Sequence, residues 1–210
     1  MTEDHERSAD RAAAGRLLAL GVLVPGVVHE LNNALLGLLG MLELAQMDAA
    51  PAVGERISVA QQAGEEIREI ARVLGALARE PLDGEEPVVV QEVAHEAVEV
   101  AGTLNVVRGL ELIEVSSAGP VSVRANRAQL RQAVILLLAA AFAGSGREGS
   151  LLVEVDEADG DARVAVRHSG AGELAGDDPA LAHVDTYARA RNGSLGIERT
   201  RVILTLPVGG

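Results

Sequence analysis

The residues best suited to chemistry in this sequence are a histidine, the glutamate that follows it and an asparagine one helical turn further on: His29, Glu30 and Asn33. A neutral imidazole is a nucleophile near neutral pH. A neighbouring carboxylate can orient the ring or take its proton, and residues four apart lie on one face of a helix. The group therefore predicts a histidine able to attack a phosphorus centre, provided that a helix carries it.

The spacing of apolar residues predicts such a helix. Apolar residues recur mostly every three or four positions along 17–42, and again along 57–78 after a break at 48–51. This is the spacing of a coiled-coil-like seam. We therefore expect a helical hairpin over residues 13–82, preceded by a frayed N-terminus over residues 1–12.

One such hairpin cannot bury a wide apolar stripe, so we expect two copies to pair into a dimeric four-helix bundle. His29 lies two residues after Val27, a member of the seam, which places it roughly on the opposite face. Val22 and Leu36 flank it there, where exposed apolar side chains would suit a docking partner. Pro25 should bend the helix, because it removes one backbone hydrogen bond.

After residue 84 the pattern changes to short strands mixed with helices, which predicts a second domain of α+β class over residues 85–208. A strand pair is expected around an Asp-Gly turn at 158–161, and a helix opened by Asp178 and Pro179. The glycine-rich stretch Ser169–Gly176 is expected to be a flexible loop. The predicted strands are 88–90, 110–115, 121–124, 151–156, 162–167, 194–198 and 201–206, and the predicted helices are 91–102, 126–143 and 179–191.

Composition excludes several classes of protein. The chain of 210 residues has no cysteine, 18 basic and 31 acidic side chains and a formal net charge of −13, and every basic residue is an arginine. Disulfide scaffolds and cysteine-rich zinc folds are excluded. The acidity argues against a nucleic-acid partner and against binding to a membrane surface through basic residues. The apolar runs are shorter than the ~20 residues that span a bilayer. We expect a cytoplasmic protein.

The stretch around His29 resembles the phosphoacceptor box of sensor histidine kinases, whose usual form is His-Glu-Leu-Asn-Asn-Pro-Leu after a glycine-containing apolar lead. Here proline is replaced by Ala34. The resemblance implies that His29 is the phosphoacceptor, that Glu30 orients it or acts as a base, and that Asn33 places water or the phosphoryl group. The matching residues are Leu20, Gly21, Leu23, Gly26, Val27, His29, Glu30, Leu31, Asn32, Asn33 and Leu35.

Residues 85–208 resemble the ATP-binding domain of the same kinases, a Bergerat-type α/β sandwich, but the ligand groups are replaced. Leu136 and Ala140 stand where the family has two asparagines on the central helix, and neither side chain offers an oxygen to a hard cation. The aspartate expected to hold adenine is His168. The resemblance therefore implies a degenerate domain with no cofactor or metal of its own.

The resemblance implies a histidine phosphotransfer protein, working as a homodimer between response regulators that supply the Mg²⁺. A phosphotransferase is favoured over an autokinase, which would need ATP to bind without its usual ligands. The alternative is a non-catalytic pseudokinase scaffold that binds a response regulator or a kinase. Retention of His29, Glu30 and Asn33 argues against this alternative, whereas Ala34 and Pro25 argue mildly for it.

Overall fold

The computed structural model describes residues 2–47, 51–104, 106–107, 111–117, 119–146 and 148–209. Within these residues the chain is of α+β class, as predicted, and it forms two sheets. The elements in chain order are α1 (Thr2–Met47), α2 (Pro51–Arg79), β1 (Glu86–Val89), α3 (Val90–Thr103), β2 (Glu111–Ser117), β3 (Ser122–Ala125), α4 (Arg127–Gly144), β4 (Ser150–Ala158), β5 (Asp161–His168), α5 (Pro179–Arg189), β6 (Ser194–Ile197) and β7 (Arg201–Pro207).

The first two helices form an antiparallel hairpin. Arg16 near the start of α1 donates to the carbonyl of Ala78 near the end of α2, over 2.9 Å. At the other end of the hairpin, Arg56 donates to the carbonyl of Leu44. The break expected at 48–51 includes residues 48–50, which lie outside the described part of the chain, and α2 begins at Pro51, a position where proline is tolerated.

Two details of α1 bear on the sequence predictions. The helix begins at Thr2, so residues 2–12 are helical, although a frayed terminus was expected there; no proline or glycine interrupts the sequence before Gly15. The halves Ala13–Val24 and Gly26–Leu42 meet at a bend of 40°, at the position of Pro25.

No single helix in the described residues is long and apolar enough to cross a bilayer. The two halves of α1 have the required length and composition only when taken together.

The second domain is built on a five-stranded sheet with strand order β2-β4-β5-β7-β6. β2 is parallel to β4, and the other neighbours are antiparallel. The β4–β5 turn places Asp159 and Gly160 at φ of 57° and 83°, as its Asp-Gly sequence favours. A separate pair of antiparallel strands, β1 and β3, precedes α4.

Helix α4 lies at the centre of the molecule. Its residues 133–138 are all buried, which an amphipathic helix with one solvent face could not achieve. The reason is that α4 contacts the sheet, α3 and α5, and also α1 of the hairpin. The side-chain oxygen of Asn126 caps the first turn of α4 by accepting from the backbone N–H of Gln129 at 3.0 Å. The side chain of Asp178 caps α5 in the same way, by accepting from the backbone N–H of Ala180 at 2.7 Å.

Candidate functional site

His29, Glu30 and Asn33 come together on the outer side of α1. The Asn33 amide nitrogen lies 2.6 Å from Nε2 of His29, and the nearest Glu30 carboxylate oxygen lies 3.9 Å from the same nitrogen. The His29 side chain is 32% exposed. Val27 and Ala34, by contrast, are buried, so α1 buries one side and presents the histidine on another.

The contact with Asn33 orients the imidazole. The side-chain NH2 of Asn33 is a donor, so in this arrangement Nε2 accepts with its lone pair and the proton of the neutral ring lies on Nδ1. Nε2 becomes available to an electrophile only when the Asn33 amide moves away from it. The distance from Glu30 is too long for a hydrogen bond, but its charge can stabilise positive charge that develops on the ring during attack.

The two docking candidates differ in exposure. Leu36 is 69% exposed, whereas Val22 is only partly exposed and packs against the hydrophobic core.

Gly15, further back on α1, lies so close to the second domain that an added Cβ would be 2.3 Å from Nε2 of His183 on α5. The second domain therefore meets α1 before the histidine, and the face from His29 to Leu36 stays open.

An apolar stripe along α1 stays exposed in the single chain. Only part of the expected seam is buried against the hairpin: Val27 is 5% exposed, whereas Leu17 is 71% exposed. The stripe, defined here by its five members that are 44–54% exposed, runs along a face separate from that of His29. Its members are Val24, Val28, Leu35, Leu39 and Leu42.

The positions that replace nucleotide ligands are all inside the second domain. Leu136 is fully buried, Ala140 is 4% exposed and His168 is 2% exposed. Neither ring nitrogen of His168 has a well-formed hydrogen bond within the described residues. Burial lowers the pKa of the His168 imidazole, and the backbone of Gly170 opposes part of this shift. This part of the domain is apolar, with a neutral imidazole.

The glycine-rich stretch is not the free loop that its sequence suggested. A Cβ on Gly170 would lie 2.1 Å from the carbonyl oxygen of Ser145, and a Cβ on Gly172 would lie 2.1 Å from that of Gly144. The amide of Leu174 also donates to the carbonyl of Arg199 at 3.0 Å. Residues 170–174 are therefore packed directly on the C-terminal end of α4, where backbone meets backbone. Sequence alone shows the glycines but not what approaches them.

Neither of two surface cavities of about 340 and 350 Å³ is lined by Leu136, Ala140 or His168. The first lies beside the segment that joins the two domains, and the second lies beside Arg124 and Arg191. No group of three or more histidine or carboxylate side chains in the described residues is arranged to hold a metal ion.

Comparison with known proteins identifies the fold of the second domain. No protein-family model and no curated protein matches the chain. Among solved structures, the chain is similar to the catalytic domain of histidine kinase ThkA, with 15% identity, a TM-score of 0.52, and coverage of 60% of this chain and 96% of that one. The chain thus contains a domain with the fold of a histidine-kinase ATPase domain.

Two further structures extend this likeness to most of the chain. One is a bacterial phosphotransferase, with 13% identity and a TM-score of 0.50, which covers 90% of this chain and 95% of that one. The other is full-length ShkA in complex with AMPPNP, with 17% identity and a TM-score of 0.50 over 94% of this chain. This chain spans 46% of ShkA. Both likenesses concern the fold, which includes the helical hairpin together with the second domain.

Proposed function

We propose that this chain is a histidine phosphotransfer protein. The observation that carries the proposal is the pairing of a partly exposed, oriented imidazole at His29 with a second domain in which buried Leu136, Ala140 and His168 stand at the expected nucleotide-ligand positions. Nε2 attacks the phosphorus of a response regulator's aspartyl phosphate. The P–O bond to the aspartate breaks, the carboxylate leaves, and a phosphohistidine remains. The reverse reaction passes the phosphoryl group to the aspartate of a second regulator.

The proposal requires no nucleotide or metal on this chain. The response regulator supplies the Mg²⁺ that neutralises the phosphoryl oxygens, as the resemblance to histidine-kinase proteins implies. Leu136 and Ala140 cannot coordinate a hard cation. The fold likeness to a bacterial phosphotransferase over nine-tenths of the chain is in keeping with this role.

We further propose that the working form is a homodimer. The exposed apolar stripe of α1 lies on the same hairpin as His29, and five exposed Val and Leu side chains on one helix face call for a partner. A second copy of the hairpin would present an identical stripe, which a two-fold interface can pair with itself. The two hairpins would then form a four-helix bundle with the His29 faces outward.

Phosphotransfer tests the proposal directly. Purified chain is mixed with radiolabelled phosphorylated response regulators, and separately with labelled ATP and Mg²⁺. We expect acid-labile label on the wild-type chain from a regulator and none from ATP. His29→Ala should abolish the label. His95→Ala serves as the matched control, because His95 is also followed by a glutamate but bonds the carbonyl of Gln91 at 2.8 Å on α3.

Other outcomes of this experiment distinguish the alternatives. A regulator that binds the chain but leaves no label on it would refute phosphotransfer and favour the pseudokinase scaffold. Label acquired from ATP alone would refute the proposal that the second domain has lost ATP binding. Label retained in His29→Ala would assign the phosphoacceptor to another residue.

A further inference from the structure

The segment that joins the two domains is held along its whole length by one helix. This linker comprises residues 80–85, between α2 and β1. Nδ2 of Asn126 lies 3.3, 3.0 and 3.2 Å from the carbonyl oxygens of Pro81, Asp83 and Gly84. The side-chain amide nitrogen, Nε2, of Gln129 donates to the carbonyl of Leu82, which lies between these residues in the chain, at 2.5 Å. Nδ2 carries two N–H groups, so Asn126 donates to at most two of its three carbonyls at a time. Together with Gln129, the start of α4 therefore holds up to three linker carbonyls at once.

Charged side chains fix the start of the same linker. Arg131 of α4, whose side chain is only 11% exposed, pairs with Glu80 and also with Glu96 of α3 at 3.2 Å. Arg16 of α1 donates to the carbonyl of Glu80. Ion pairs at this degree of burial cost more to break than exposed ones, because each partner would be left desolvated without a counter-charge. The linker's first residue is thus tied to α1, α3 and α4 together.

Apolar packing joins the domains on the other side of the linker. Ala19 and Leu23 of α1 are buried in the same hydrophobic core as Leu137 of α4. Gly15 of α1 admits the ring of His183 from α5, since a Cβ there would lie 2.3 Å from the ring. An exposed linker that served as a hinge would have few such contacts. Here the linker is exposed to solvent over most of its residues, but its carbonyls accept from Asn126 and Gln129 and the two domains share one core beside it.

We infer that the hairpin and the second domain move as one rigid body, latched by the Asn126, Gln129 and Arg131 side chains on the linker. The second domain packs on α1 at Gly15, Ala19 and Leu23, and His29 lies six residues beyond Leu23, about 9 Å along a helix. The second domain reaches His29 only if the latch opens. The latch therefore keeps the histidine face permanently available to a separate molecule. This inference stands whether or not His29 carries phosphate.

Exchange of an amide for an acid isolates the latch. Asn126→Asp preserves the oxygen that caps α4 but cannot donate to the three linker carbonyls, and Gln129→Glu likewise loses its bond to Leu82. Asp178→Asn is the matched control: it makes the reverse exchange at the cap of α5, far from the linker in the chain. Far-UV circular dichroism of each variant establishes that the helices remain intact.

Limited proteolysis reports the opening of the linker. A Glu-specific protease can cut the linker after Glu85, whereas Glu80 is protected by the proline that follows it. Mass spectrometry of the fragment ending at Glu85 gives the cleavage rate. The rate follows the open fraction when opening is fast, and losing one or two hydrogen bonds predicts an increase of about tenfold in Asn126→Asp. Gln129→Glu should show a smaller increase and Asp178→Asn none. Wild-type cleavage as fast as that of a free peptide of the linker sequence would overturn the inference, as would unchanged rates in both latch variants.

A distance measurement tests rigidity without a protease. The chain has no cysteine, so Ser58→Cys on α2 and Glu157→Cys on β4, both exposed, can carry a pair of spin labels. Dilution with unlabelled chain restricts the signal to pairs within one chain. We expect one narrow distance distribution, which broadens when Asn126→Asp is added. A broad distribution in the otherwise wild-type chain would refute the rigid body.

Discussion

Gly172 gives the sharpest test of whether residues 170–174 are packed firmly on the C-terminal end of α4. Alanine at this position would place its Cβ 2.1 Å from the carbonyl oxygen of Gly144 and 3.2 Å from the backbone nitrogen of Gly146. Real Cβ contacts essentially never fall below 3.0 Å. The carbonyl or the loop must therefore move by about 1 Å, and neither is a flexible side chain that can swing away.

The expected cost follows from that displacement. Overpacking a well-packed site typically costs about 1–3 kcal/mol, and the upper end applies where backbone opposes backbone. Gly172 does not have the positive φ that only glycine adopts readily, so backbone strain adds nothing. We expect Gly172→Ala to lower the free energy of unfolding by about 3 kcal/mol. For a chain of this length that corresponds to a fall in Tm of about 6–12 °C.

Urea and thermal denaturation, followed by far-UV circular dichroism, measure this change. The matched control is Gly176→Ala, four residues later, where nothing lies within 4 Å of the added Cβ; it should stay within about 0.5 kcal/mol of wild type. Equal stability of the two variants would refute the reasoning. It would mean that residues 170–174 are free to move away from α4, and that the region around His168 can open to a ligand.

Three other predictions follow from buried and exposed side chains. Burial lowers the pKa of His168 below its ordinary value of 6.5, so on acidification the unfolded chain takes up a proton before the folded chain does. The free energy of unfolding should therefore fall as pH drops below about 6.5. His168→Phe should flatten this pH dependence between about pH 7 and 5.5, measured by urea denaturation. If the proposed dimer forms through the exposed stripe, Leu35→Glu should convert it to monomer in analytical ultracentrifugation, whereas Leu36→Glu should leave it intact and slow the proposed phosphotransfer. Leu136→Asn should cost about 3–5 kcal/mol because it buries an amide without a partner, whereas Leu136→Met should cost less than about 1.5 kcal/mol, both measured by urea denaturation.

The elements of the fold were predictable because their signals are local. The Asp-Gly turn before β5 and the cap formed by Asp178 act within a few residues, and both lie where the sequence places them. The hydrogen bond between Asn33 and His29 likewise follows from their separation of four residues on a helix. Such features depend on the chain's own periodicity and require no knowledge of what packs against them.

What could not be predicted depends on contacts between distant parts of the chain. Asn126 is the first residue of the predicted helix 126–143, and only the structure shows that its side-chain nitrogen lies on linker carbonyls more than 40 residues earlier. Gly170 and Gly172 read as a loose loop because the sequence does not show that the end of α4 approaches them. Val22 has the spacing of an outer-face residue, yet the core partly covers it.

The substitutions in the second domain can be understood as one change in what α4 is required to do. A helix that holds a metal and a nucleotide must keep polar side chains on a face open to solvent. In this chain α1 covers one side of α4 and the loop at 170–174 covers its end. An asparagine at position 136 or 140 would then be buried without a partner, at a cost of several kcal/mol. Leucine and alanine fill the same positions as core residues. The apolar residues at 136 and 140 and the packing of the hairpin on α4 are therefore linked, because each buried side chain on α4 stabilises the contact between the two domains.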